Sequence, residues 1–324
     1  MRILVAGGAG YIGSCTTEYL LDHGHEVAVY DALLNSHRKA VDPRAKFYHA
    51  NLEDTKALAN AMEEFKPEGV IHFAAFIEVG ESMRDPGKYF GNNVGNAIKL
   101  AEAAHKAGVR KIVFSSTAAV YGMPDHVPIN EEQPKLPINA YGESKLMFEH
   151  ILDWYMKIYG LQYTALRYFN AAGATEIHGE DHNPETHLIP IILQAAAGKR
   201  DSISVFGTDY DTPDRTCIRD YVHVLDLAQA HLLALQHDGS DVFNLGSGSG
   251  YSVKEVIDTV MKVTGKDFGV VCTDRRPGDP PRLIADSTKA RTVLGWKPQY
   301  DRLEDIVASA WNWRLKHPDG YCDK

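Results

Sequence analysis

Arg2-Ile3-Leu4-Val5-Ala6-Gly7-Gly8-Ala9-Gly10-Tyr11-Ile12-Gly13 decides the fold. Its first five residues form the short, mostly apolar run of a strand buried in a parallel sheet. The glycines at 7, 10 and 13 then allow a sharp turn, a close approach of backbone to a bound group, and tight packing of a helix on the strand. Strand, glycine turn and helix start together read as a phosphate-binding unit, with the anion at the N-terminus of the helix that begins near Tyr11. A second apolar run, Glu26 to Tyr30, ends in Asp31, 18 residues after Gly13. A carboxylate at that place accepts from a ribose 2′-hydroxyl and repels a 2′-phosphate, so NAD is expected rather than NADP. Arg38 and Lys39 are the nearby cations that would favour the phosphorylated form.

Apolar strand candidates alternate with helical stretches through the first half: 2–6, 26–30, 46–50, 69–73, 111–115 and 163–167 as strands, with helices over 12–23, 54–65, 88–107 and 141–160. Each helix is followed shortly by Gly or Pro. This alternation predicts an α/β chain with a Rossmann-type, doubly wound parallel sheet. After Asn170 the rhythm breaks into a polar loop, 171–187, of a length that usually carries function. Short strands near 202–206 and 268–272 and helices near 188–198, 225–237, 252–264 and 303–317 then predict a smaller, interleaved α/β substrate domain. The expected division is 1–170 for the dinucleotide domain, to which the chain returns around 208–242, and 171–324 for the substrate domain.

With 324 residues, 44% of them hydrophobic, the chain can build a sizeable core. A formal net charge of −9 argues against non-specific nucleic-acid binding, so an anionic ligand has to be held by local arginines. Cys15, Cys217, Cys272 and Cys322 are widely spaced and form no disulfide framework, which fits a reducing compartment. The first strand candidate begins at residue 2 and no apolar run reaches the ~20 residues of a membrane span. A cytoplasmic protein without a membrane partner is expected.

Tyr141 and Lys145 lie four residues apart in Ala140-Tyr141-Gly142-Glu143-Ser144-Lys145, on one face of a helix. A free phenol titrates near ~10, but an adjacent ammonium can lower that by roughly 1 to 3 units. The pair therefore predicts a tyrosine acting as a base.

Gly7-xx-Gly10-xx-Gly13, Phe114-Ser115-Ser116-Thr117, Tyr141-xxx-Lys145, Arg167-Tyr168-Phe169-Asn170 and Arg219-Asp220-Tyr221-Val222-His223 follow one another in a recognisable order and spacing. They resemble the extended short-chain dehydrogenase/reductase superfamily. Within it, Val79-Gly80-Glu81-Ser82, Asn92-Asn93-Val94, Arg276-Pro277-Gly278-Asp279 and Trp311-Asn312-Trp313 resemble the UDP-glucose 4-epimerase family from end to end. The resemblance implies an isomerase of galactose metabolism that interconverts UDP-glucose and UDP-galactose. The sugar C4 would be oxidised transiently by tightly bound NAD, and hydride would return to either face of a 4-keto sugar. That route answers a chemical difficulty, because the C4 hydrogen has no neighbouring carbonyl to stabilise a carbanion. Tyr141 would take the O4 proton, Lys145 would hold the phenolate and the nicotinamide ribose, and Thr117 would bridge the sugar hydroxyl and Tyr141.

The NAD contacts implied by the resemblance are Gly7, Gly10, Tyr11, Ile12, Gly13, Asp31, Asn35, Ser36, Asn51, Leu52, Phe73, Ala74, Ala75, Ile77, Asn92, Tyr141, Lys145 and Phe169. Asn51 stands where many relatives carry an aspartate toward the adenine amino group, and Ile77 where some carry a lysine. The Asn51 amide oxygen can accept the same bond, so weaker rather than absent binding is expected there, and Ile77 removes one charged contact, which leaves the tightness of NAD binding open. For the UDP-sugar, the implied contacts are Asn170, His187, Leu188, Ser204, Val205, Phe206, Arg219, Arg276, Asp279 and Leu283, besides Thr117 and Tyr141. Arg219 and Arg276 supply planar cations for the diphosphate, Asp279 accepts from the uridine ribose, and Phe206 stacks on uracil. His187 replaces the asparagine of some relatives. Leu283 replaces a bulkier tyrosine beside the sugar C2 substituent, which implies tolerance for N-acetylated sugars, and a pentose is a further alternative. A 4,6-dehydratase or decarboxylase is disfavoured, because Ala118-Ala119 follow Thr117 where dehydratases carry an added acid and base.

His178, Glu180, Asp181 and His182 have metal-ligating side chains but no tight motif, and no metal is expected. The apolar residues Leu146, Ile151, Leu152, Tyr155, Met156 and Tyr159 exceed one buried stripe of their helix. A homodimer through this helix is implied by the resemblance.

Overall fold

Seven parallel strands build one sheet in the order Asp241–Leu245, β6 (Gln162–Tyr168), β5 (Lys111–Thr117), β4 (Gly69–His72), β1 (Arg2–Ala6), β2 (Glu26–Asp31) and β3 (Lys46–His49). The structure, a computed structural model, describes residues 1–276 and 279–322; Pro277 and Gly278 of the Arg276–Asp279 motif lie outside the described residues. Interior strands read as continuous apolar runs because helices cover both faces, and Ile3, Leu4, Val5, Val70, Ile71, Ile112 and Val113 are fully buried. One face packs on the helices Thr55–Phe65, Ala97–Lys106 and Ala140–Tyr159 through Leu58, Leu100, Phe148 and Leu152. The other packs on α1 (Tyr11–Asp22) and the helix Val224–Gln236 through Leu20, Leu227 and Leu235. This is the Rossmann-type α/β fold expected from the alternation.

Strand order reverses between β1 and β4, and a crevice outside the carboxyl ends of the strands forms at such a point. At this point Phe73 N and Ala74 N both donate to Ala6 O, at 2.8 and 3.0 Å, which ties the end of β4 to the end of β1.

Local chemistry explains where the helices start and stop. Asp54 accepts from Lys56 N and Ala57 N, Asn139 accepts from Gly142 N, and Ser252 and Glu255 form a capping box. Gly160 and Gly265 end their helices in the left-handed conformation at φ +72° and +65°.

Two expectations are corrected. The continuous helix over 88–107 is instead a short turn Pro86–Tyr89, a wide π-helical segment Phe90–Asn96 and a regular helix Ala97–Lys106. Two glycines and three asparagines in that segment weaken the regular helix, and the wide turn lets Asn93 reach sideways. The seventh strand, Asp241–Leu245, was not expected as a strand, because Asn244 breaks its apolar pattern. Asn244 is fully buried and its amide is satisfied: Tyr121 Oη donates to Oδ1 at 2.7 Å and Nδ2 donates to the Ile129 carbonyl at 2.8 Å.

Beyond β6 the helices Leu188–Ala196, Val253–Thr264 and Leu303–Lys316 form a separate apolar cluster around Ile192, Val256, Val260 and Val307. The strands Ser202–Phe206 and Gly269–Thr273 pair in parallel beside it.

Candidate active site

The glycine turn is held by contact, not by flexibility alone. A Cβ on Gly7, whose φ is +82°, would sit 2.4 Å from Ala74 N, and one on Gly13 would sit 2.2 Å from Gly7 O. Both positions are closed to any larger residue. A Cβ on Gly10 would meet only Gly7 O, at 3.4 Å. Space over Gly10 is therefore open, as a phosphate passing the turn requires. Gly10 is also the N-cap of α1 with no side-chain cap and no acidic residue in the first turn, so the first helical amides, at Tyr11 and Ile12, are left for an anion.

Asp31 ends β2 beside this turn and is buried. Its Oδ2 accepts from Ala9 N at 3.0 Å, while Oδ1 accepts from Leu33 N at 2.8 Å and Ser36 Oγ at 2.7 Å. The carboxylate thus braces the glycine turn, and Ser36 reaches it directly. Asn35 is exposed beside it, and Leu52 is buried. Asn51 Oδ1 accepts from Glu53 N at 2.9 Å, so the amide oxygen expected to face adenine is shared with its own loop. Arg38 lies over the Phe47 ring at 4.5 Å.

Phe73, Ala74 and Ala75 are half-buried after β4, whereas Ile77 is exposed. Asn92 donates to Asn93 Oδ1 at 3.0 Å. Asn93, which enters the sequence reading only within a motif and without a role, is buried and pins the loop after β4 to the helix Ala140–Tyr159. It accepts from Phe76 N at 2.9 Å and donates to Phe76 O at 2.9 Å and Ser144 Oγ at 3.1 Å.

Thr117 ends β5, Tyr141 and Lys145 lie one turn apart on Ala140–Tyr159, and the Thr117 hydroxyl lies close enough to Tyr141 to bear on its titration. Gly142 makes this approach possible, since a Cβ there would sit 2.6 Å from Ala119 O. Lys145, 2% exposed, donates to Ser115 O at 2.9 Å. The expected effect of the lysine on the phenol is corrected. Burial pushes Tyr141 up to about 12, opposed only by the Thr117 hydroxyl. Burial likewise pushes Lys145 down to about 7, against the attraction of Glu149. Losing water costs each group its charged form, and the ammonium is turned toward a carbonyl rather than toward the phenolic oxygen.

Behind Lys145 lies a buried network that sequence reasoning also missed. Arg167 binds Glu149 through two bonds, Nη2 to Oε2 at 2.5 Å and Nε to Oε1 at 3.0 Å. Ser116 Oγ donates to Glu149 Oε1 at 2.5 Å, and Arg167 Nη1 to Tyr121 Oη at 2.9 Å. Glu149 stands four residues beyond Lys145, a spacing the sequence shows but does not explain.

Among the candidate sugar-nucleotide contacts, Asn170 donates to Asp220 O at 2.7 Å. His187 is the N-cap of the helix Leu188–Ala196. Arg219 and Asp279 are paired with one another; Arg219 Nη1 also donates to Ile218 O at 2.8 Å, and Asp279 Oδ2 accepts from Tyr210 Oη at 3.4 Å. The Arg276 guanidinium lies over the Phe206 ring at 4.0 Å, covering the face expected to meet uracil. Ser204 is exposed, whereas Val205 is buried in the helical core and offers a ligand no side chain. Leu283 and Phe169 pack together on Val120, Tyr121, Ile129 and Leu146. Asp220 is a missed organiser: fully buried, it accepts from Ser247 N, Ser247 Oγ, Gly248 N and Ala285 N at 2.7, 2.6, 3.1 and 3.0 Å.

The four-residue set His178, Glu180, Asp181 and His182 does not come together. Asp181 accepts from Tyr321 N at 3.0 Å, and the His178 ring approaches Tyr321 Oη at 3.5 Å. Glu185 and His187 join Glu180 and His182 instead.

Residues 3–246 match the model of the NAD dependent epimerase/dehydratase family. The UDP-glucose 4-epimerase of Lacticaseibacillus casei is 52% identical over 330 residues, covering 100% of both chains. A crystal structure of a UDP-glucose 4-epimerase superposes with a TM-score of 0.97 at 48% identity, over 99% of each chain. The UDP-glucose 4-epimerase from Bifidobacterium longum in complex with NAD+ and UDP superposes with a TM-score of 0.93 at 39% identity, over 99% of this chain and 100% of that one. The glycine turn, the acidic end of β2 and the Thr117–Tyr141–Lys145 group thus sit in a chain that belongs to the NAD dependent epimerase/dehydratase family.

Proposed function

We propose that this chain is a UDP-glucose 4-epimerase, an isomerase that inverts C4 of a UDP-bound sugar with NAD as resident cofactor. The observation that carries the reading is Thr117 close to Tyr141 at the carboxyl end of β5, with Lys145 one turn behind, in a chain whose full length matches UDP-glucose 4-epimerases. Gly7, Gly10 and Gly13, the amides at Tyr11 and Ile12, and Asp31 fit the dinucleotide, and Asn35, Ser36, Asn51, Leu52, Phe73, Ala74, Ala75, Ile77, Asn92 and Phe169 complete its wall. NAD, when bound, supplies a two-electron acceptor and donor beside the sugar C4. Tyr141 removes the O4 proton and later returns it, and Thr117 aligns the sugar hydroxyl with the phenol. Lys145 serves as a positive charge that stabilises the phenolate once a ligand draws it from Ser115 O. Arg219 and Arg276 bind the diphosphate after giving up Asp279 and Phe206, which then meet the ribose and the base. Asn170, His187, Leu188, Ser204 and the Val205 backbone line the same side.

The division into a dinucleotide domain, 1–170 with a return near 208–242, and a UDP-sugar domain, 171–324, belongs to this proposal. So does a cytoplasmic homodimer. Of the six apolar residues expected to be left over on the helix Ala140–Tyr159, only Tyr159 is exposed. Met147, Trp154 and Ile158 are the other exposed apolar residues there, at 40, 60 and 64%. A sedimentation coefficient of a dimer that Ile158→Arg shifts to a monomer supports the pairing, and an unshifted one refutes it. Among the described residues, no helix is long and apolar enough to cross a membrane.

The testing experiment is incubation of the purified protein with UDP-galactose, UDP-N-acetylgalactosamine and UDP-arabinose, without added NAD. Conversion of UDP-galactose to UDP-glucose is expected, and its absence refutes the reading. Leu283 leaves room beside C2, so N-acetylated sugar is also turned over; Leu283→Tyr should reduce that reaction selectively, and an equal loss for both sugars counts against the assignment.

A further inference from the structure

Glu180, His182, Glu185 and His187 converge at the end of the loop before the helix Leu188–Ala196, each offering one ligand atom, and these atoms lie within 4.8 Å of one another. His187 Nδ1 is 2.8 Å from Glu180 Oε1 and 3.1 Å from Glu185 Oε1. His182 Nδ1 is 3.2 Å from Glu180 Oε1 and 4.0 Å from Glu185 Oε2. The edge of a tetrahedron around zinc, with bonds of about 2.0–2.1 Å, is about 3.3 Å, so modest side-chain movement brings all four onto one ion. Two imidazoles with two carboxylates form a donor set suited to zinc.

A second observation points the same way. Glu185 Oε2 is buried and has no hydrogen-bond partner, although the side chain is only 2% exposed. Among the described residues, neither Glu180 nor Glu185 pairs with a lysine or arginine. The buried Arg314 guanidinium donates to the Glu180 carbonyl at 3.0 Å instead of to its carboxylate. An unpartnered oxygen of a buried carboxylate is costly, and a cation among the four groups would satisfy it.

We propose that Glu180, His182, Glu185 and His187 bind one divalent transition-metal ion, with zinc as the fitting case. As the ion enters, each imidazole releases the proton on its Nδ1 to solvent and forms a metal–nitrogen bond, and the ion's two charges balance the two carboxylates. The site fastens the loop to the start of α1, since the His182 ring lies edge-on to Tyr11 at 6.3 Å. It also makes His187 a neutral ligand rather than a cation for a diphosphate. The proposal stands on loop geometry and does not depend on the epimerase reading.

The test uses the protein as purified, with whatever dinucleotide it carries, stripped of metal by EDTA, desalted, and re-equilibrated with zinc chloride before gel filtration. Metal counted by mass spectrometry should give one zinc per wild-type chain, with at least tenfold weaker retention in Glu185→Gln. This substitution keeps the side-chain shape and the Oε1 acceptor. Zinc held by exposed Cys272 or Cys322 would be equal in both proteins. Equal zinc in the two, or none in the wild type, overturns the site. Cobalt(II) titration of the wild type needs no variant: intense visible bands of a four-coordinate ion are expected, and the pale spectrum of hydrated cobalt overturns the proposal.

Discussion

Lys145 Nζ donates to the Ser115 carbonyl at 2.9 Å and lies 5.9 Å from the centre of the Tyr141 ring. The amine is anchored to β5 rather than to the phenol it is meant to serve. Its burial, not its neighbour, dominates its titration.

That burial gives a pH dependence with a definite sign. Lys145 is held down to about 7 in the folded chain, whereas an unfolded lysine titrates near ~10.4. Between these values the unfolded chain binds the extra proton, so this group makes stability rise with pH from about 7 to about 10 and contributes no slope below or above. Urea unfolding of dinucleotide-free wild type and Lys145→Met across that window should show the wild type gaining on the variant by an amount on the order of a few kcal/mol. Parallel curves would show that the amine keeps its ordinary titration.

The glycine turn separates folding from binding. Gly13→Ala forces a Cβ to 2.2 Å from Gly7 O and should unfold or strongly destabilise the chain. Gly10→Ala meets only one atom, at 3.4 Å, so unfolding should change by less than about 1 kcal/mol. NAD affinity should nevertheless fall at least about tenfold, because the methyl stands where the pyrophosphate passes. Calorimetric titration with NAD checks this, and unaltered affinity would remove Gly10 from the cofactor path.

Glu149 and Arg167 are each 4% exposed, and removing one leaves the other charged and unpaired. Glu149→Leu should cost about 3–5 kcal/mol in urea unfolding, and Glu149→Leu with Arg167→Leu should recover most of it. Additive losses would mean that the two side chains act independently and that no unpaired charge is left behind by either single change.

Much of the fold was legible because parallel strands buried on both faces carry uninterrupted apolar runs, and Gly7, Gly10, Gly13 and Asp31 punctuate them. Tyr141 and Lys145 were legible through helical spacing. What escaped was long-range satisfaction of polar groups. Asn244 looks like a strand breaker until Tyr121 and the Ile129 carbonyl are seen to meet it. Asn93 and Asp220 stand in recognisable motifs and Glu149 in none, but the structural role of all three escaped the sequence because their partners lie far away in it. The misjudged titration of Tyr141 has the same origin, since helical spacing places two groups side by side but says nothing of the water each has lost. The loop histidines failed for lack of a period: only the folded loop turns His178 and Asp181 toward Tyr321 and brings Glu185 in.

Transient oxidation at C4 is tested most directly by conversion of UDP-glucose carrying deuterium at that carbon, in ordinary water, followed by mass spectrometry of the UDP-galactose formed. Hydride taken from C4 and given back to the same carbon predicts a product that keeps the deuterium, with Tyr141→Phe slowing the conversion by about 10² to 10⁴-fold. Loss of the label to solvent would show that C4 is deprotonated instead, and would contradict the role assigned to Tyr141.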